Sequence, residues 1–445
     1  MKKNLKKNKT VFCMMSGGVD SSVAAFLLQK QGYQVVGCFI KGYNLDGCQE
    51  KDAEDARRVA EYLNIPFYAI DLEKEYKKLV VDYTIRSYKE GLTPNPDVMC
   101  NKEIKFGLFL EKALELGADY VATGHYVRLG RSAFRKQHNF LPARKFASPS
   151  TRSVASGDTK LTGLRDVPQD ETSSPLFSIY SAKDKNKDQS YFLWTLTQDQ
   201  LRYCLFPIGN YLKPEVRKIA KRAGLPTAEK KDSQGICFLG KISMEDFLKK
   251  YIPVKKGTVL NLQGKKIGEH QGIYFYTIGQ RHIGIANRKP QNASQNPFYV
   301  AEKDVKTNSL IMVEGENNPA LYKKEVLLAN VNFIDPNVVS LISTFAEATV
   351  DKRAPARRSL GEGGNGRMNV LVRIRYRQPI TKATLILEKG PRKSAFRSAS
   401  VRVLFENPQK AVAAGQSVVL YNGKGDPSTS SGLKMLGGGV IKGFV

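Results

Sequence analysis

The chain has 445 residues and little of what staples or metallates a fold. Its six cysteines, Cys13, Cys38, Cys48, Cys100, Cys204 and Cys237, form no C-x-x-C pair, and its four histidines are scattered. A zinc-type cluster is therefore not expected, and the metal-ligand set is empty. No apolar run approaches the ~18–20 residues of a membrane-spanning helix. The opening MKKNLKKNKT has the charge of a signal-peptide start, but the apolar VFCMM after it is too short for an export core. These absences point to a soluble chain in the reducing cytoplasm, where most cysteines are small buried hydrophobes and one or two are reactive. Acidic residues are also scarce: 42 Asp and Glu face 70 Lys and Arg, a formal net charge of +28. That imbalance says little about fold. It favours a polyanionic partner, nucleic acid first.

At this length two or three domains are expected. Residues 10–15, 34–40, 67–72 and 120–123 read as short buried strands. Between them, 21–31, 51–63, 73–90 and 104–116 carry helical spacing. Such alternation predicts an α/β domain with a parallel sheet covered on both faces. Over 131–186 the pattern stops: Ser, Pro, Arg and Lys dominate, with ten Lys or Arg against five Asp or Glu. This predicts a basic, mobile insertion. Strand-like segments with glycine turns resume at Gly257 and continue to the end, interrupted by basic stretches near 352–367 and 389–400. A small central domain and a C-terminal β-barrel are expected there, with boundaries at 1–238, 239–318 and 319–445.

Within the first domain, CMMSGGVDSS, from Cys13 to Ser22, passes from a strand through two glycines into a helix. A strand, a glycine turn and a helix N-terminus aim several backbone N–H groups at one point, and phosphate is the usual guest. Gly17 and Gly18 allow close approach of a ligand, and Ser21 and Ser22 add hydroxyls. Asp20 is the awkward member. A carboxylate beside phosphates repels them unless a cation intervenes, so Asp20 implies either bound Mg2+ or a structural hydrogen bond. The stretch is neither G-x-x-x-x-G-K-[ST] nor G-x-G-x-x-G.

Two cysteine segments carry further chemistry. In TPNPDVMCNKEIKFG, Pro94 and Pro96 break the preceding helix, Asn95, Asp97 and Cys100 fall in the loop, and a helix runs from Lys102. A thiol just before a helix, near Lys102 and Lys105, is expected to ionise readily. Asp97 can move a proton at the same centre. In KKDSQGICFLG, Cys237 comes after a glycine turn, again near lysines. Taken alone, either cysteine is as well explained by burial.

The loop S-G-G-V-D-S resembles that of the N-type ATP pyrophosphatases, the PP-loop family. Together SGGVDSS, NPDVMCNKEIKF, ATGHYVR, NKDQSYFLW, KKDSQGICFLG and YTIGQRHIGI resemble, in order, the bacterial tRNA-specific 2-thiouridylases, over all but the basic insertions. The resemblance implies a three-part fold: a PP-loop domain, a small central domain and a C-terminal β-barrel that binds tRNA. It implies ATP with Mg2+, a tRNA whose wobble uridine is thiolated at C2, and a sulfur-relay donor protein. Met14, Met15, Ser16, Gly17, Gly18, Val19, Asp20 and Ser21 would hold the nucleotide phosphates, and Ile40 and Gly124 would contact the nucleotide through backbone. Cys237 would carry the incoming sulfur as a persulfide, Cys100 would be its partner nucleophile, either releasing sulfide from the persulfide or resolving it to leave a Cys100–Cys237 disulfide, and Asp97 the acid/base. Asn95, Pro96 and Asp97 would touch the target base. His125, Lys187, Asp188, Gln189, Arg375, Tyr376 and Gln416 match tRNA-contacting positions. Met14 stands where the family has a small residue. Two readings stay open beside this one: another PP-loop adenylating ligase, which needs no pair of thiols, and an RNA-binding relative without activity.

Overall fold

The structure is a computed structural model that describes residues 9–45, 47–132, 176–232, 239–240, 242–281, 296–338, 366–388, 400–422 and 432–444. Strand β1 (Thr10–Met14) has four of its five residues buried. It lies between two parallel neighbours, so both of its faces are covered and no polar alternation appears. β2 (Gln34–Lys41) pairs with it on one side and β4 (Tyr120–Ala122) on the other, with β3 (Phe67–Asp71) beyond β2. β5 (Val127–Ser132) and β6 (Leu176–Ser181) form an antiparallel pair beside this sheet. A two-residue strand, β7 (Cys204–Leu205), then completes the sheet in the order β3-β2-β1-β4-β7. The parallel crossovers are made by helices, among them α1 (Val19–Lys30) after β1 and α2 (Cys48–Tyr62) after β2. Strand order reverses between β1 and β4. In open α/β sheets such a switch point leaves a crevice at the strand C-terminal ends, where ligands bind.

The expected insertion at 131–186 is narrower than its composition suggested. Its two ends are strands β5 and β6, paired from Val127↔Ser181 to Ser132↔Leu176. Residues 133–175 lie outside the described residues, as do 339–365 and 389–399, which hold most of the other two basic stretches.

The central sheet, in the order β10-β11-β8-β9, is built from β8 (Gly257–Leu260), β9 (Lys266–His270), β10 (Phe298–Asp304) and β11 (Ser309–Glu314). The C-terminal strands β12 (Tyr322–Phe333), β13 (Arg367–Arg373), β14 (Thr381–Glu388), β15 (Ser400–Lys410), β16 (Ser417–Asn422) and β17 (Met435–Phe444) close into a barrel. Closure removes exposed edges.

The segment QSYFLW, within residues 189–194, wedges the α/β sheet onto the barrel. Tyr191, Leu193 and Trp194 are buried in one cluster with Val121 of β4 and with Leu371, Val419, Tyr421 and Met435 of the barrel. The Tyr191 hydroxyl donates to the carbonyls of Ile374 at 3.2 Å and Ser417 at 3.0 Å, and the Trp194 indole donates to Ser417 Oγ at 3.0 Å. Apolar burial supplies the attraction, and these bonds fix the register of one unit on the other.

Among the described residues, no helix is long and apolar enough to cross a membrane.

Candidate active site

The phosphate loop lies at the switch point. Gly17 has φ +71°, and a Cβ there would stand 2.2 Å from the Asp52 carbonyl oxygen of α2. Only glycine fits. Gly18 caps α1 in an extended conformation with no side chain to bond the first-turn N–H groups. Those donors, with the positive end of a 12-residue helix, are an arrangement that suits an anion. Ser16 N–H donates to Ser21 Oγ at 3.1 Å, and Ser21 Oγ donates to the Gly18 carbonyl at 3.1 Å, so Ser21 braces the loop. Gly124, just after β4, closes the other wall: a Cβ there would stand 2.7 Å from Ser21 N. Met14 and Met15 are buried, and Val19 is buried at the start of α1. Ile40 is next to last in β2, at the same end of the sheet.

Asp20 takes the structural alternative. Lys213 Nζ lies 2.7 and 2.8 Å from its two oxygens, and the Tyr126 hydroxyl donates to Oδ1 at 2.8 Å. Both oxygens are occupied, and among the described residues no group of three His, Cys, Asp or Glu is placed to hold a metal. Mg2+ is the ion that characteristically arrives on substrate phosphates and keeps several waters.

The second half of the site differs from the sequence expectation. Asn95, Asp97 and Cys100 are not loop residues before a helix at Lys102. The helix starts at Pro96, its first position, with Asn95 as N-cap: Val98 N–H donates to Asn95 Oδ1 at 3.2 Å. Helical structure then continues through Cys100–Leu108, wound as a π-helix, into Phe109–Glu115. In a π-helix residues five apart carry the hydrogen bonds, so Lys105 stands over Cys100. Gly107 permits this winding, since a Cβ there would lie 2.9 Å from the Lys102 carbonyl oxygen.

Cys100 is 5% exposed. Burial pushes its thiol up. Lys105 and a hydrogen bond with Tyr76 oppose that rise, and Asp97 adds to it. The expectation of a readily ionised thiol at a helix start is therefore overturned: burial outweighs the lysine. Lys102 is not the relevant cation, because it pairs with Glu103 at 2.7 Å on the surface. Burial also raises the Asp97 carboxyl, against Lys105, so it holds its proton to higher pH than an ordinary aspartate. The two groups lie close enough that each affects the other's protonation, since Asp97 is among the causes that raise the Cys100 thiol. The other described thiols, Cys13, Cys38 and Cys204, are buried and pushed up by burial, Cys38 to about 12. They belong to the core. Cys237 lies outside the described residues.

Lys105 thus carries a testable charge effect. In Lys105→Met the Cys100 thiol loses its cation, and its pKa rises. Alkylation of Cys100, read by peptide mass, then needs a higher pH, and Lys105→Arg restores the profile. An unshifted profile in Lys105→Met would show that the lysine does not act on the thiol.

The residues matched to RNA contact fall into two groups. Some are committed inside the protein. His125 is buried, with Nδ1 2.8 Å from Thr123 Oγ1, and burial, then Lys105, holds it well below its usual range, so its ring is neutral. Asp188, 3% exposed, accepts from Ala182 N–H, Ser190 N–H, Ser190 Oγ and, at 3.0 Å, Arg373 of the barrel. Gln189 Oε1 accepts from Tyr126 N–H at 2.9 Å. Lys187 Nζ lies 2.7 Å from Asp232. Of the others, Arg375 and Gln416 line a cavity of about 300 Å3 together with Thr93, Thr277, Ile278, Gly279 and Gln280. It draws on the α/β unit, the central unit and the barrel. Gln416 Nε2 donates to the Thr93 carbonyl at 2.9 Å, and Thr93 N–H to the Ala414 carbonyl at 2.8 Å. The barrel therefore holds the strand of chain that leads into Asn95 and Asp97. Tyr376 packs on Phe192 with ring centroids 4.5 Å apart. Sequence reading did not single out Thr277 and Gln280, although both lie in the quoted YTIGQRHIGI, nor Lys213, which has no local signature.

The fold and site define an α/β nucleotide-binding unit joined to two β-rich modules. Family models agree: "tRNA methyl transferase HUP domain" matches residues 9–241, "tRNA methyl transferase PRC-barrel domain" 245–314, and "Aminomethyltransferase beta-barrel domain" 354–441. The curated relatives are matched over nearly their whole length. The tRNA-specific 2-thiouridylase MnmA of Histophilus somni is 40% identical over 99% of this chain and 94% of its own. That of Alkaliphilus oremlandii is 38% identical over 94% and 95%, and that of Escherichia coli 38% over 98% and 97%. The chain belongs to the tRNA-specific 2-thiouridylase family.

Proposed function

We propose that this chain is an ATP-dependent tRNA uridine 2-thiolase, a sulfurtransferase acting on the wobble uridine of the anticodon. ATP is a substrate and brings Mg2+ with its phosphates. The uridine C2 oxygen attacks the α-phosphorus of ATP and pyrophosphate leaves, which turns a poor leaving group into AMP. First-turn N–H groups of α1, presented by Gly17 and Gly18, face the phosphates, where they stabilise the charge that develops. Asn95, Pro96 and Asp97 face the target base. Cys237 carries sulfur as a persulfide received from a donor protein. The Cys100 thiolate attacks the inner sulfur, forming a Cys100–Cys237 disulfide and releasing HS⁻. HS⁻ adds to C2, and AMP departs with the oxygen and the bonding pair. Asp97 takes the Cys100 proton, a role suited to a carboxyl raised by burial. Arg375 and Gln416, the cavity they line, and Tyr376 next in sequence to Arg375 face the anticodon loop, where planar and aromatic side chains suit unstacked bases. The net charge of +28 extends the phosphate-binding surface beyond the site.

The observation that most supports this reading is the pairing, in one fold, of an uncapped phosphate loop with a buried aspartate–cysteine helix held by the barrel. The test is direct. Purified protein, ATP–Mg2+, a sulfide source and unmodified tRNA with a wobble uridine should yield 2-thiouridine on digestion and mass analysis. Absence of 2-thiouridine while ATP and tRNA both bind would sink the reading in favour of another adenylating ligase.

A further inference from the structure

A carboxylate stands in the phosphate loop, where it should repel the ligand, and a buried cation stands on it. Lys213 opens the helix Lys213–Arg222, and only 10% of its side chain is exposed. Its Nζ spans both Asp20 oxygens, at 2.7 and 2.8 Å, and reaches Asp232 Oδ1 at 2.9 Å. Its backbone N–H donates to Asp184 Oδ2 at 2.9 Å, which fixes where the side chain begins. Asp232 is held in turn by Lys187 at 2.7 Å and by Arg217 at 2.6 Å, one helical turn after Lys213. Arg217 also donates to the carbonyls of Ala228 and Lys230. The ammonium thus cannot drift off Asp20 without leaving two carboxylates that other groups keep in place. Burial makes the placement strict, because a charge with so little water near it needs its partners.

Asp20 comes after Gly18 and Val19 in the first turn of α1, among the N–H groups that face the anion. An acidic side chain at that point favours the free helix end but opposes a triphosphate arriving there. We propose that Lys213 is a positioning residue that neutralises Asp20 in place, so that the phosphate loop keeps a rigid carboxylate brace and still accepts the triphosphate. The substrate class is a nucleoside triphosphate, and the fixed ammonium supplies the countercharge at Asp20. The inference rests on the phosphate loop as the ATP site. It is independent of the chemistry after adenylation, so a chain that binds ATP but modifies no RNA leaves it standing.

The test is ATP–Mg2+ binding by titration calorimetry on the full chain. Lys213→Met should weaken binding by about tenfold or more, since Asp20 is left bare before the phosphates. Lys213→Arg should stay within about threefold of the parent. The double variant Asp20→Asn, Lys213→Met should recover most of the loss, because the repelling group is gone with its partner. Asp20→Asn alone should bind at least as tightly as the parent, a measurement that stands even where Lys213→Met does not fold. Three results would overturn the inference: Lys213→Met binding like the parent, a double variant as weak as Lys213→Met, or tenfold weaker binding in Asp20→Asn. A parent chain that binds no ATP would overturn it as well.

Discussion

Cys100→Ala should abolish thiolation from a persulfide-loaded chain, by at least about 10³-fold, while tRNA-dependent release of pyrophosphate persists. In the proposed mechanism the thiol is the nucleophile of the sulfur step and takes no part in adenylation, so the two readouts separate. Removing one buried sulfur leaves a small cavity, costing about 1 kcal/mol, too little to unfold the chain. The substitution therefore reads chemistry rather than folding. Free sulfide at high concentration bypasses the nucleophile, and part of the activity should return with it. Single-turnover pyrophosphate release and 2-thiouridine formation, measured on one preparation, check both halves. Loss of both in parallel would place Cys100 in adenylation instead. Thiolation surviving from the persulfide would remove it from the sulfur step.

The burial of that thiol explains why the sequence misjudges its state. Cys100 and its lysines are visible in NPDVMCNKEIKF. Burial wins because of packing from elements distant in sequence, in the cluster that Cys100 shares with Val80, Val81, Phe247 and Leu248. The helix start is obscured for a related reason. Two prolines four residues and more before Cys100 read as breakers, yet Pro96 stands at the first helical position, where proline is preorganised, and Asn95 caps it. The Asn-Pro pair was the available signal. The parallel sheet was legible because four short apolar runs alternate with segments that carry a helical period. β7 was not, because two residues make no such run. The Lys213–Asp20 pair spans 193 positions and has no local pattern at all. The RNA-contact matches, carried by resemblance, show what position alone leaves out: Asp188 is spent on Arg373 and on three local donors, and reaches the barrel rather than solvent.

Gly17→Ala should remove ATP binding, and the reason is geometric. At φ +71° a Cβ is unfavourable by about 1–2 kcal/mol. The added carbon would also meet the Asp52 carbonyl at 2.2 Å, a distance that no contact tolerates, so something must move. Asp52 resists: Lys230 Nζ holds its carboxylate at 2.7 Å and that of Asp55 at 2.6 Å, pinning this turn of α2. The loop is the softer partner, and overpacking of this kind costs about 1–3 kcal/mol. A displaced loop no longer converges its N–H groups on one point. Each 1.4 kcal/mol is about tenfold in affinity, so a loss of about 10²-fold in ATP binding is expected. Gly18→Ala supplies the contrast. Gly18 has φ −93°, and the nearest atom to a Cβ there is Ser16 Oγ at 3.6 Å, so the ligand-free fold accepts it. Gly18→Ala should therefore unfold at the parent's temperature, while Gly17→Ala unfolds earlier. Titration of both variants with ATP–Mg2+, beside thermal melts, checks the argument. Parent-like affinity in Gly17→Ala would mean that the loop does not hold the phosphates in this conformation.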